Sequence, residues 1–218
     1  MFPFGEGAYL WGRILGEWCA MGEDSSTSHE KLTLQDFLAA LQASGGAATG
    51  RPPPPVERWD PPDCGEAGIE ILADGSWRHE GVRITREAMV RLFASILRRD
   101  ADGVTYLVTP VEKVRVRVED APFVAIRADR HGAGRDQRIV FTTNVGDQVV
   151  AGPDRPLRVA IDAEGAPRPY VRIRGRLEAR ILRAPFYELV DWAEAADDGR
   201  LVVWSDGEAF DLGPAHAP

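Results

Sequence analysis

Residues Tyr106–Phe123 read YLVTPVEKVRVRVEDAPF. Two apolar strands flank a polar elbow, Thr109-Pro110-Val111-Glu112-Lys113, and an acidic turn, Glu119-Asp120, ends the second strand. Val114, Val116 and Val118 alternate with Arg115 and Arg117, a period of two that turns one face of the strand inward. A helical pattern and an Asp-Gly turn precede the stretch. Leu201–Leu212 follows the same two signals, so the chain carries an internal echo. Such an echo speaks to architecture before it speaks to activity.

Upstream of the elbow, Thr85 is placed to cap a helix, and Glu87 sits in the first turn, where free backbone N–H groups favour a negative charge. Met89, Val90, Phe93, Ile96 and Leu97 form its apolar stripe, Arg98 and Arg99 lie at its C-terminal end, and Asp102-Gly103 stops it. Ile69–Leu72, Ser76–Trp77 and Val82–Ile84 read as short strands broken at Asp74-Gly75 and Gly81. In the later part, Tyr170–Arg174 alternates apolar residues with Arg172 and Arg174, and Leu177–Ile181 resumes after Gly175. Pro185 suits the first turn of a second helix, with Phe186, Leu189, Val190 and Ala193 on its apolar face. Asp198-Gly199 ends that helix, and Leu201–Trp204 pairs with Phe210–Leu212 across Asp206-Gly207. Four more strands lie between the copies: Phe123–Ala128, Ile139–Thr143, Gln148–Ala151 and Leu157–Ile161.

This order predicts a sheet-rich α+β protein of two subdomains. Each is built from a repeated strand–strand–helix–strand–strand motif, and central antiparallel strands join them; an alternating β-α parallel sheet is excluded. The first repeat is expected over 56–128, and the central strands with the second repeat over 129–218. Residues 1–55 hold a leader, a short helix and a linker. Leu34, Phe37, Leu38 and Leu41 recur at helical spacing and predict an amphipathic helix over Thr33–Ala43. Ser44–Gly50 and Pro52–Pro55 then form a flexible and an extended linker that tethers it. Met21, which opens a polar segment, is the expected start of translation.

A net charge of -8 argues against a general binder of nucleic acid or of anionic membranes. Only Lys31 and Lys113 are lysines, so arginine supplies nearly all the positive charge. Two cysteines, Cys19 and Cys64, make no disulfide framework, which fits a reducing cytoplasm. No apolar run approaches the ~18 residues of a membrane span.

Several segments together resemble a known family: Trp59-Asp-Pro-Pro-Asp-Cys-Gly65, Val90-Arg-Leu-Phe93 with Leu97-Arg-Arg-Asp100, Leu107–Ala125, Thr143-Asn-Val-Gly-Asp147 and Pro169–Val190. They are similar to the bacterial DUF1285 family, a domain of unknown function, over roughly Val56–Leu212. The resemblance implies repeated α+β motifs in two subdomains and an association with signal transduction. It brings no catalytic residues to carry over.

The elbow departs from its counterpart, the tight Ser205-Asp-Gly-Glu208 turn, by gaining Thr109, Glu112 and Lys113. That departure marks a candidate site; the plainer reading is a capped loop with an ion-paired lysine. Asp60, Asp63, Glu66, Glu119, Asp120 and Asp147 form an acidic set that could hold a cation or do acid–base work. Their spacing fits no EF-hand loop, and Pro61-Pro62-Asp63 and Asn144-Val-Gly-Asp147 also read as turns. Cys64 lacks a histidine at suitable spacing, and His79 and His131 sit in loops, so a packed turn residue is the plainer reading of the thiol. His79-Glu80 reads as a hairpin surface. Arg115 with Arg117, and Arg172 with Arg174, form stripes that are either solvated faces or an anion pocket. Gly132-Ala-Gly134 is not followed by a helix, so no dinucleotide fingerprint exists.

The expected function is that of a cytoplasmic binding or regulatory protein. Its ligand-binding candidates are Trp59, Asp60, Asp63, Thr109, Glu112, Lys113, Glu119, Asp120, Asn144 and Asp147, lining a cleft between the repeats. A small anionic ligand or a protein partner is implied, with no cofactor, metal, nucleic acid or membrane. The rival is a small hydrolase or metal-dependent enzyme using Asp63, Glu119, Asp120 or Asp147, which requires two of these carboxylates to converge. A third reading gives the tethered N-terminal helix the task of recruiting a partner.

Overall fold

The computed structural model describes residues 54–215. The leader, the helix expected over 33–43 and the glycine-rich part of its linker lie outside the described residues. Among the described residues the chain is a sheet-rich α+β protein with two α-helices. The described residues divide into two compact units, one of 54–70 with Trp77–Arg117, the other of Ile71–Ser76 with 118–215.

The first unit opens with a 3-10 turn at Val56–Arg58. Its elements then run β1 (Asp63–Ile71), β2 (Trp77–His79), β3 (Val82–Arg83), α1 (Glu87–Ser95), β4 (Leu97–Arg99), β5 (Thr105–Val108) and β6 (Lys113–Val118). The strands form one sheet in the order β3-β2-β1-β6-β5-β4. Alternation dictates its inner face: Ala67, Ile69 and Ile71 of β1 and Val114 and Val116 of β6 are buried. Leu92 and Phe93 of α1 are buried, and Phe93 stacks on Trp77 at 6.2 Å between ring centroids.

Helix α1 is shorter than its apolar stripe suggests. Arg86, not Thr85, occupies the N-cap position, in extended conformation and without a side-chain cap. At the other end Leu97, Arg98 and Arg99 leave the helix and pair with Leu107, Tyr106 and Thr105 of β5. Ile96 and Leu97 are completely buried by this change. Pairing with a waiting strand therefore overrides the continuing helical periodicity. The Asp-Gly signal consequently closes a hairpin between β4 and β5 instead of stopping the helix. Gly103 N–H donates to Asp100 O and Asp100 N–H to Val104 O, while Asp102 Oδ1 accepts from Val104 N–H. Gly103 supplies the positive φ, 84°, that this turn requires.

The second unit runs β7 (Phe123–His131), a 3-10 turn at Gly134–Asp136, β8 (Arg138–Thr143), β9 (Gln148–Val150), β10 (Leu157–Ile161), β11 (Pro167–Arg174) and β12 (Leu177–Ile181). Then follow α2 (Arg183–Asp191), β13 (Glu194–Ala195), β14 (Arg200–Ser205) and β15 (Glu208–Pro214). Strand β7 runs through residue 128, where the sequence reading placed its boundary. One sheet has the order β10-β11-β12-β7-β8-β9 and a second the order β13-β14-β15. The central strands β7, β8 and β9 pair antiparallel, while β7 meets β12 of the second repeat in parallel, Ala179 opposite Phe123. Here too the Asp-Gly turn after the helix, Asp198-Gly199, lies in a hairpin, between β13 and β14. Helix α2 packs against β7 and β14, and Leu189 and Val203 are completely buried.

A bulge in β11 corrects the expected arginine stripe. Arg172 lies opposite Glu178, but Arg174 lies opposite Leu177, so the register shifts between them. An extra residue in one strand reverses the parity of everything after it. Arg174 is thereby carried to the side of Leu177, where its guanidinium stands 5.3 Å from the Phe123 ring centroid. Arg172 stays on the opposite face with Tyr170.

Candidate functional site

In the first unit, strand β4 brings Arg98 beneath the entry turn. Its guanidinium donates to Val56 O at 2.8 Å, Trp59 O at 2.6 Å and Asp100 Oδ1 at 2.5 Å. Lys113, the last residue of the elbow, donates to Asp100 Oδ2 at 2.8 Å and lies 4.5 Å from the Tyr106 ring centroid. Burial raises the Asp100 pKa, but the hydrogen bonds from Arg98 and Lys113 outweigh it and hold the carboxyl below its ordinary value. The Lys113 ammonium is raised, chiefly by the hydrogen bond to Asp100. The elbow closes on itself: Thr109 is completely buried, and its Oγ1 accepts from Glu112 N–H at 3.1 Å. Glu112 is also buried. Lys113 N–H donates to Pro62 O, so the elbow and the 59–66 segment do meet. Asp63 pairs with Arg115 at 2.7 Å and accepts from Gly65 N–H, while Asp60 is exposed. Arg117 pairs with Glu70 at 3.1 Å on the exposed face of the sheet.

In the second unit, Glu119 and Asn144 grip one turn. Ala73 N–H donates to Glu119 Oε2 at 2.8 Å, and Asn144 Nδ2 donates to Gly75 O at 3.1 Å. Asn144 Oδ1 accepts from Val124 N–H. Asp147 pairs with Arg174 at 3.0 Å. Asp120 joins a different group, on the outer face of β10, β11 and β12. Its Oδ1 accepts from Tyr170 OH at 2.7 Å, its Oδ2 from Arg180 Nη1 at 3.3 Å, and Arg168 Nη1 stands 4.0 Å away. Burial raises the Tyr170 pKa, and the hydrogen bond to Asp120 adds to it. Arg158 lies 4.2 Å from the centroid of the Tyr170 ring and forks onto both oxygens of Glu178, at 2.9 and 2.6 Å.

Cross-strand register explains why these side chains share a face. Tyr170 is opposite Arg158 on one side and Arg180 on the other, and Arg172 is opposite Glu178. The same strands send Val171, Ala179 and Leu157 to the buried face. Arg158, Arg168 and Arg180, and the buried Arg98 and half-buried Asp100, are absent from the sequence-derived candidates. Alternation around Tyr170 contains the signal for Arg168, since every second residue of Arg168–Arg172 is Arg or Tyr. Nothing local marks Arg98 as buried, since the two main-chain oxygens it holds are 39 and 42 residues away.

Two further expectations change. His79 is buried, because the period of two that turns Trp77 inward also turns His79 inward; only Glu80 carries the hairpin surface. Cys64 is disulfide-bonded, and no free thiol occurs among the described residues, which corrects the expectation that the cysteines stay unpaired and removes their support for a reducing compartment. Among the described residues no three His, Cys, Asp or Glu side chains gather as a metal site, and no helix is long and apolar enough to cross a membrane.

Two family descriptions match the chain: the N-terminal domain of DUF1285, a domain of unknown function, over residues 54–121, and the C-terminal domain of DUF1285, a protein of unknown function, over residues 122–212. A crystal structure of a DUF1285 family protein from Silicibacter pomeroyi DSS-3 is 48% identical, with a TM-score of 0.73, covering 81% of this chain and 94% of its own. A second, from Shewanella baltica OS155, is 28% identical, with a TM-score of 0.46, covering 57% of this chain and 91% of its own. No curated protein matches.

Proposed function

Since the chain belongs to the DUF1285 family, whose description assigns no activity, we propose from its own geometry that it is a binding protein with a regulatory output. The observation that carries this reading is the engagement of the candidate carboxylates. Asp63 is held by Arg115 and Gly65 N–H, Glu119 by Ala73 N–H, Asp120 by Tyr170 and Arg180, and Asp147 by Arg174. General acid–base work needs a carboxylate within reach of a second titrating group and of substrate. Here these four are committed to arginines, a tyrosine and backbone amides.

The polar groups that concentrate away from the core of the second unit are arginines on the outer face of β10–β12, in a chain with a net charge of -8. A small anionic ligand is the occupant such a face favours. The finer expectations accompany this reading: a cytoplasmic location, a part in signal transduction, and descent of the two helix-centred halves from one repeated motif. In support of the repeat, β1–β3, α1 and β4–β6 follow the same element order as β10–β12, α2 and β13–β15.

Thermal-shift screening of the full chain against organic acids, nucleotides and divalent ions tests the proposal. A ligand present at 100 times its dissociation constant adds about 2.7 kcal/mol. Stabilisation by at least one class is expected; none, with no partner recovered by pull-down, would sink the reading. Turnover of any ester or phosphate substrate, lost on changing Asp63, Glu119, Asp120 or Asp147, would favour the hydrolase instead.

A further inference from the structure

The outer face of β10–β12 has an imbalance centred on one residue. Its other three arginines have acidic partners within the unit: Glu178 for Arg158, Asp162 for Arg168 and Asp120 for Arg180. Arg172 has none among the described residues. Glu178 lies directly across the ladder from it, yet both Glu178 oxygens are taken by Arg158. The Arg172 Nε is buried without a hydrogen-bond partner, and the residue as a whole is only partly exposed.

Stability does not account for this arrangement. A half-buried guanidinium without a partner loses hydration and gains nothing in return. The bulge adds to the isolation. It turns Arg174 and its partner Asp147 to the other side of the sheet, away from Arg172.

We propose that Arg172 anchors a binding site for a small monocarboxylate, whose planar carboxylate forks onto the guanidinium. This rests on the binding-protein reading above and names the ligand class of that face. The charge count selects the class. With four guanidinium groups against three carboxylates the face holds one positive charge in surplus. One carboxylate neutralises it with two parallel N–H···O bonds. A phosphate dianion would bring a second negative charge beside Glu178 and Asp120, and like charges that close repel. The Nη pair of Arg172 is the accessible end, so the ligand approaches from solvent across Tyr170. Because the ring of Tyr170 is already covered by Arg158, the site recognises the carboxylate more than any aromatic body attached to it.

The test is an NMR titration of the full chain, following the Arg172 Nε–Hε resonance. Acetate and propionate are compared with inorganic phosphate and with chloride at constant ionic strength. A saturable shift with the carboxylates is expected, with phosphate and chloride at least tenfold weaker. Arg172→Gln should weaken carboxylate binding at least tenfold and Arg172→Lys by less, with the melting temperature of Arg172→Gln no lower than that of the parent. Carboxylate binding unchanged in Arg172→Gln overturns the proposal, as do phosphate binding as tightly as acetate, or shifts that never saturate. A ligand found by the thermal screen whose binding ignores Arg172→Gln would remove this site and leave the binding-protein reading standing. No ligand in either experiment would remove both.

Discussion

Replacing Arg98 with methionine removes a guanidinium and keeps most of the apolar stem that fills the same space. Arg98 is 7% exposed and makes hydrogen bonds to two main-chain oxygens, Val56 O and Trp59 O, besides its pair with Asp100. Truncating one partner of a buried ion pair costs about 3–5 kcal/mol when the other charge is left alone. Asp100 is not left alone, because Lys113 remains 2.8 Å away. The loss then comes mainly from the carbonyls, each deprived of a charged donor worth about 1.5–3 kcal/mol. Val56 O retains a weaker bond from Trp59 N–H at 3.3 Å. The expected cost is about 3 kcal/mol. Urea unfolding of the full chain measures it, together with hydrogen exchange across 54–62, because a loss confined to the entry turn would be local. Both should respond, with 54–62 exchanging faster than β5. A cost below about 1 kcal/mol with unchanged exchange would refute the reasoning, since it would mean that Arg98 behaves as a surface charge.

The same cluster sets a pH dependence. Asp100 is depressed, so its contribution is present above its unfolded pKa and is lost as pH falls through the lower folded value; Asp100→Asn should flatten that part of the acid limb in a stability–pH profile. Lys113 is raised, so its contribution is present below its unfolded pKa and is lost as pH rises through the higher folded value; Lys113→Met should remove it from the alkaline limb. Ser205→Ala should cost about 2 kcal/mol in chemical denaturation, because the buried Ser205 Oγ donates to Ala151 O and accepts from Ile139 N–H, and both lose their partner. Gly75→Ala should destabilise by about 2 kcal/mol: φ there is 80°, and a Cβ would stand 2.8 Å from Val124 Cγ2 and 2.9 Å from Asn144 Nδ2. A melting temperature unchanged in that variant would show that the turn does not rest on Val124.

Periodicity located the strands where burial on one face is strict. Leu177–Ile181 is readable residue for residue, because its inward positions Leu177, Ala179 and Ile181 are apolar and buried; Leu157–Ile161 is readable from its apolar run after Pro156, although only Leu157 of it is buried. The helix ended elsewhere than its stripe, since Ile96 and Leu97 satisfy helix and strand patterns equally and β5 decides between them. The paired segments of the candidate site were readable as turns, but their partners were not. Glu119 finds its amide 46 residues away and Asn144 finds its carbonyl 69 residues away. No local pattern encodes such separations.

The sequence by itself determined a sheet-rich α+β chain, its helices and most of its strands, because alternation and turn residues are local properties. Tertiary structure alone decided what its charges do. Arg98, which reads as a helix-end cation, becomes a buried clamp once β4 pairs with β5. Arg172 and Arg174, which read as one stripe, part company at a bulge that inverts the parity of the strand. Among the described residues Arg172 has no acidic partner, while Glu178, its neighbour across the ladder, is held by Arg158 from the strand on the other side. Which ion pairs with which is fixed by register, and register is set only when strands distant in sequence come together.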